Sequence, residues 1–236
     1  MNADPILIRY RFQLEDGSIE QFDLLLDARS LTLTDKPPEE LPEWTRLAFH
    51  QCPHCPLDET ATPHCPLSVN LVRLVNSFGR LISHDNVRVV VVMRQRRVSQ
   101  TTTAQAGISS LMGLLIAVSE CPYTDFLKPM ARFHLPFADE TETVWRAVSS
   151  YLLAQYFLCL EGIRKKINPD GIVKIYNDIE RVNVAVAKRL RAASKQDSTV
   201  NALVRLDVFA KHFNPGFGLS LKRLQAVFQP FLNRLT

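Results

Sequence analysis

The sequence has no long Gly/Ser or Gln/Asn tract and no internal repeat, which argues against a disordered linker protein, a collagen-like chain or a fibre. Its longest nearly apolar run, Ala104 to Ser119, is uncharged but is interrupted by Gln105 and three serines. It falls short of the roughly 20 residues a membrane span needs, so no transmembrane segment is expected. The opening MNADPILIRYRF has an early Asp, no basic start and no small-residue cleavage site, so the expectation is a cytoplasmic protein without a secretory signal. Also missing are a Gly-rich phosphate loop, a Walker lysine, a dinucleotide fingerprint, a G-x-S-x-G elbow, an H-E-x-x-H helix and a carboxylate pair in an apolar setting. Catalysis therefore has no motif behind it. What is present is a composition that folds: 46% hydrophobic and 22% charged in 236 residues, enough for one large or two small domains.

Charge is unevenly spread. Residues 1 to 60 carry 5 Lys/Arg against 12 Asp/Glu, whereas residues 162 to 236 carry 14 against 5, within a net charge of +4. A basic C-terminal third can meet nucleic acid, anionic lipid or an acidic partner. Because these cations are spaced along periodic segments rather than run together, they read first as solvated helix faces, with the acidic N-terminal third as a possible counterpart.

Two runs rich in apolar, aromatic and β-branched residues, Ile6 to Leu14 and Ile19 to Leu26, flank Glu15-Asp16-Gly17-Ser18 and predict a β-hairpin. Pro37, Pro38 and Pro42 among acids mark a connector. Val87 to Val98, with Val89 to Met93 wholly apolar, predicts a third strand buried on both faces. Pro66 to Ser83 places Leu67, Leu71, Leu74, Phe78 and Leu81 on one helical face, and Ala104 to Ser119 is a central buried helix whose Gly107 and Gly113 admit a close neighbour. Asp139 and Glu142 form a capping box for a helix to about Arg164, with Asn168-Pro169 opening the next. That next helix carries Ile172, Ile175, Ile179, Val182 and Val186 as a bundle seam. Two more follow, Thr199 to Phe213 and Leu219 to Asn233, separated by Asn214-Pro215-Gly216, with Ser220 as an N-cap. The expected class is α+β: a small antiparallel N-terminal sheet and cysteine-rich loop around a buried helix (1–137), then a helical bundle (138–236), with one continuous domain as the alternative to two.

Four of the five cysteines share a pattern: Cys52-Pro53-His54-Cys55-Pro56, Cys65-Pro66 and Cys121-Pro122. A C-x-x-C pair puts two thiolates on one turn, and proline after each cysteine stiffens it. Cys65 stands at an N-cap position and Cys121 follows the buried helix, so the four can close one metal shell. Zinc is the first reading, an iron–sulfur cluster the second, because a pair plus two singles is not the two-knuckle pattern of a zinc ribbon. Thiols without metal are the third. His50, His54, His64 and His134 crowd the region, and His54 or His134 is the best substitute for one cysteine. Cys159 is read as a core residue.

A second candidate is an anion site: Arg94, Arg96 and Arg97, then Thr101, Thr102 and Thr103, lead into the buried helix, whose N-terminal N–H groups favour negative charge. Cys52-Pro53-His54-Cys55 resembles the active-site tetrapeptide of DsbA-type thiol oxidoreductases, and the resemblance implies dithiol redox chemistry; it covers four residues, and the thioredoxin-like strand and helix are absent around it. More widely, Phe49-His50-Gln51-Cys52-Pro53-His54-Cys55-Pro56-Leu57 and Pro129-Met130-Ala131-Arg132-Phe133-His134-Leu135-Pro136-Phe137 resemble a family of uncharacterised bacterial proteins. That resemblance implies a bacterial origin and no particular activity. The expectation is a cytoplasmic metal-binding protein of regulatory or sensory role. The alternatives are an iron–sulfur redox sensor or electron carrier, and a metal-dependent enzyme or binding protein for an anionic, phosphorylated small molecule.

Overall fold

The computed structural model describes residues 4–79, 81–168, 170–194, 197–212 and 217–235. Strands β1 (Ile6–Gln13) and β2 (Ile19–Leu26) form the expected hairpin, closed by Leu14 N–H to Ser18 O at 2.9 Å, with Gly17 at φ 81°. The third strand is a correction. Instead of one run to Val98, β3 (Asn86–Met93) turns at Arg94-Gln95 into β4 (Arg96–Thr103), so the antiparallel sheet has four strands in the order β2-β1-β3-β4. Nor is β3 buried on both faces: Val87, Val89 and Val91 point inward, while Arg88 and Val92 are exposed. With β4 at the sheet edge, its polar sequence RRVSQTTT needs no buried face.

The inward face of the sheet, Ile8, Tyr10 and Phe12 with Phe22 and Val89, is covered by α1 (Pro66–Phe78) and α2 (Ala104–Ala117). α2 comes so near that a Cβ on Gly107 would lie 2.8 Å from Val89 Cγ2 and 3.1 Å from Phe12 Cε1. A short helix α3 (Lys128–Arg132) leads to α4 (Glu140–Leu160), whose start is the capping box expected: Glu142 N–H donates to Asp139 Oδ1 at 2.8 Å, and Asp139 N–H to Glu142 Oε2 at 2.9 Å. α4 ends at Leu160, short of Arg164. Its outer face exposes Trp145, Leu153, Phe157 and Leu160, and Cys159 is half-buried outside both hydrophobic clusters rather than in a core.

α5 (Gly171–Ala193) begins after Asp170, later than Asn168 predicts, while Pro169 lies outside the described residues. Its apolar stripe is an intramolecular seam, as expected, and serves two clusters. Ile172 and Ile179 meet Val144, Ala147, Tyr151 and Leu224, whereas Val182 and Val186 join the main core with the sheet. α6 (Ser198–His212) packs on α2 and α5, and its first residue docks on α1 through Ser198 Oγ–H to Phe78 O at 2.9 Å. α7 (Phe217–Leu232) starts earlier than expected, so Ser220 lies inside the helix and is not its N-cap. Asn214-Pro215-Gly216 lies outside the described residues. Among the described residues, no helix is long and apolar enough to cross a membrane.

Candidate functional site

Three loops carry the four cysteines. Cys52 and Cys55 share a tight turn, Cys55 N–H donating to Cys52 O at 3.0 Å. Cys65 is the residue before α1, its N–H bonded to Thr45 O at 2.7 Å, with Pro66 in the first turn as expected. Cys121 follows α2 and is 9% exposed. Tyr123 binds the third loop to the first: its O–H donates to His54 O at 2.6 Å and its ring lies 4.1 Å from the His54 ring. His54 Nε2 is 3.2 Å from Asp178 O on α5, while Nδ1 is buried with no hydrogen-bond partner.

Beneath these loops lies Arg189, which sequence reasoning passed over as one more helix-face cation. It is 2% exposed. Its Nη1 donates to Trp44 O at 2.8 Å and Arg46 O at 2.7 Å, and its Nη2 to Leu47 O at 2.9 Å. The guanidinium thus holds the segment that pairs, through Leu47 N–H to Pro63 O, with the strand-like approach to Cys65. A signal for it was present: in the seam 172, 175, 179, 182, 186, the next step of three is 189.

The thiols are electrostatic neighbours. Burial, and then the Cys65 and Cys55 thiols, push Cys52 up to about 11. Burial likewise pushes Cys121 up to about 12, with Cys65, Cys52 and Cys55 adding to it. Burial disfavours the protonated form of Arg189, and thiolate forms of Cys65, Cys52 and Cys55 would favour it. All five cysteines are free thiols. Among the described residues, no three His, Cys, Asp or Glu side chains stand, as placed, in a group able to hold a metal ion. The four sulfurs therefore share a neighbourhood without forming a closed shell.

The other sequence-predicted residues are placed elsewhere. His64 Nδ1 is 2.8 Å from Thr45 Oγ1, and His50 has a left-handed backbone at φ 49°. His134 is not beside the cysteines in any contact observed; its Nε2 is 2.5 Å from Tyr10 Oη, and burial lowers it to about 3, so it is neutral. The arginine and threonine segment does not converge. Arg94, Arg96 and Arg97 cluster at the β3–β4 turn, whereas Thr103 pairs with Asn86 at the other end of β4, roughly 20 Å away at the usual rise per residue. Arg94 makes an exposed ion pair with Asp4 at 3.7 Å. The acidic N-terminal third does not meet the basic C-terminal third through ion pairs among the described residues; Arg189 binds carbonyl oxygens there instead.

No curated protein and no solved structure is significantly similar to the chain. A family model does match, over residues 8–229, and the chain belongs to that family, a domain of unknown function (DUF6901).

Proposed function

We propose that the chain is a cytoplasmic metal-binding protein in which Cys52, Cys55, Cys65 and Cys121 hold one ion, zinc in first place, and that its role is regulatory rather than catalytic. The observation that carries this reading is the tying together of the loops that bear four free thiols, by Tyr123 O–H to His54 O and by the buried Arg189 to Trp44, Arg46 and Leu47 O, with Cys52, Cys55, Cys65 and Cys121 electrostatically coupled to one another. The donor set fits zinc: thiolates are its preferred soft ligands, and rotation about the Cα–Cβ bonds is the freedom that would close the shell. Four thiolates around a divalent ion leave excess negative charge, which Arg189 offsets from below. His54, whose Nδ1 is buried and without a partner, is the alternative donor if one cysteine stays outside. Bound metal would supply folding free energy by fixing three loops at once. A closed shell leaves no open position for substrate, which favours regulation or scaffolding over catalysis.

An iron–sulfur cluster on the same cysteines is the second reading, favoured by their arrangement as a pair and two singles. The test is to purify the protein without oxygen, record its visible spectrum and quantify zinc, iron and acid-labile sulfide on one sample. The expected result is colourless protein with about one zinc per chain, and much less in Cys52→Ser and Cys121→Ser. Brown protein with iron and sulfide would replace zinc with the cluster. Neither metal, before or after anaerobic reconstitution, would overturn the proposal.

A further inference from the structure

A second site lies away from the cysteines and draws on groups that the metal reading leaves unused. Residues from β4, α2, α3, α4, α5, α6 and the segment after α3 line a half-open cavity of about 270 Å³. At roughly 30 Å³ per water, it has room for about nine water-sized groups. Leu127, Met130 and Ile179 make part of its wall apolar, and Ser110, His134 and Arg146 supply polar groups. Arg146, on α4, is half-buried and donates one hydrogen bond, Nη2 to Met130 O at 2.6 Å. No carboxylate forms an ion pair with it among the described residues. Glu142, one turn earlier, raises it electrostatically without forming an ion pair, and its Oε2 accepts from Asp139 N–H in the capping box. The rest of a five-donor guanidinium fork therefore has no anionic partner among the described residues.

The neutral groups beside it are ordered by their own hydrogen bonds. Phe137 N–H donates to Ser110 Oγ at 3.2 Å; Ser110 Oγ is 2.8 Å from Tyr10 Oη, which is 2.5 Å from His134 Nε2. When Ser110 O–H donates its hydrogen bond to Tyr10 Oη, and Tyr10 O–H donates to His134 Nε2, the neutral ring carries its hydrogen on Nδ1, which becomes a donor. The site thus offers one half-buried cation and one uncharged donor, His134 Nδ1–H, beside an apolar wall. Arg205 adds an exposed, screened charge to the lining. One effective positive charge in a small, half-apolar space matches a monoanion with a short hydrocarbon body better than a phosphate dianion.

We infer that this cavity binds a small organic carboxylate, its head on the Arg146 guanidinium and its body against Leu127, Met130 and Ile179. The site does not rest on the metal reading, and Cys121→Ser protein that remains folded is expected to keep it. The test uses protein labelled at its methionine methyl groups, of which there are four, and follows the Met130 resonance. Hexanoate at millimolar concentration should shift that resonance saturably, with Met93 unmoved, and hexanamide and inorganic phosphate should not. Arg146→Gln should weaken hexanoate binding by about tenfold or more, the loss expected of one charge-assisted contact. No shift with hexanoate, an equal shift with the amide, tighter binding of phosphate, or undiminished binding in a folded Arg146→Gln protein would each overturn the inference. If Arg146→Gln does not fold, the acid against amide comparison on the unaltered chain decides.

Discussion

Arg189 gives its guanidinium to three backbone carbonyls and, among the described residues, to no carboxylate, so removing it strands the buried Trp44 and Leu47 oxygens and leaves Arg46 O with Phe49 N–H alone. Arg189→Met should cost about 3 kcal/mol or more in urea denaturation and lower zinc retention with it. Arg189→Lys should recover little, because an ammonium cannot span three acceptors with a planar fork. His134 makes a prediction of a different kind. Its folded-state value lies far below the ordinary 6.5, chiefly through burial and secondarily through Arg146, so below pH 6.5 the unfolded chain takes up a proton that the folded chain refuses. Stability from this group is therefore present above pH 6.5 and falls steadily as pH drops toward 3. Between pH 8 and pH 5 the loss should be about 2 kcal/mol, and a His134→Gln variant should lack that component when denaturation is compared at the two pH values. Neither residue announces its role locally. Arg189 is one cation among many on a basic helix, and the Tyr10, Ser110, His134 and Arg146 group is assembled from four separate segments, so only the tertiary fold brings it together.

At the level of elements, what was legible is what is local. Gly17 between two alternating runs and Asp139 three residues before Glu142 each determine a structure within a few bonds, and both appear as expected. Asp139→Ala should cost about 1 kcal/mol of thermal or denaturant stability, the usual worth of such a cap. The β3–β4 turn was not legible because neither Arg94 nor Gln95 takes a positive φ, so neither the glycine nor the asparagine that marks most tight hairpins is required. β4 itself hides because an exposed edge strand has no apolar alternation to read. The glycines of α2 separate two cases that composition treats alike. Gly107 faces stiff Val89 and Phe12 side chains at 2.8 and 3.1 Å, whereas a Cβ on Gly113 would meet Leu206 at 3.4 Å, an ordinary contact. Gly107→Ala should therefore destabilise by about 1–3 kcal/mol through overpacking, while Gly113→Ala should be neutral or gain up to about 1 kcal/mol from helix propensity. Melting temperatures of the pair test the assignment directly.

For the whole molecule, the main hydrophobic cluster draws on sheet residues such as Tyr10 and Val91 and on Val186, Leu190, Ala202 and Leu203 from beyond residue 137. A division at Phe137 therefore cuts through a shared core, and the intact chain should unfold in one cooperative transition. The fragment 1–137 should show no such transition when followed by circular dichroism; a sharp melt near that of the whole chain would mean that the sheet, α1 and α2 suffice alone. The proline after each of four cysteines was legible as a repeated local signal, but the ties that draw their loops inward, through Arg189, Tyr123 and α5, were not, because each joins segments far apart in sequence.

The two borders of the sheet have a further consequence. Outside β2, the chain returns alongside it, with Asp27 N–H on Thr32 O at 3.0 Å and Thr34 N–H on Leu25 O at 2.9 Å, so part of that border already has a backbone neighbour. On the other border, β4 turns hydroxyls and the Arg96-Arg97 pair outward. A strand arriving from a second molecule would find one side partly occupied and the other charged and without apolar grip. The sheet is thus a poor template for chain-to-chain growth, and the molecule can concentrate its apolar exposure on the outer face of α4 without risking fibrous assembly through its strands.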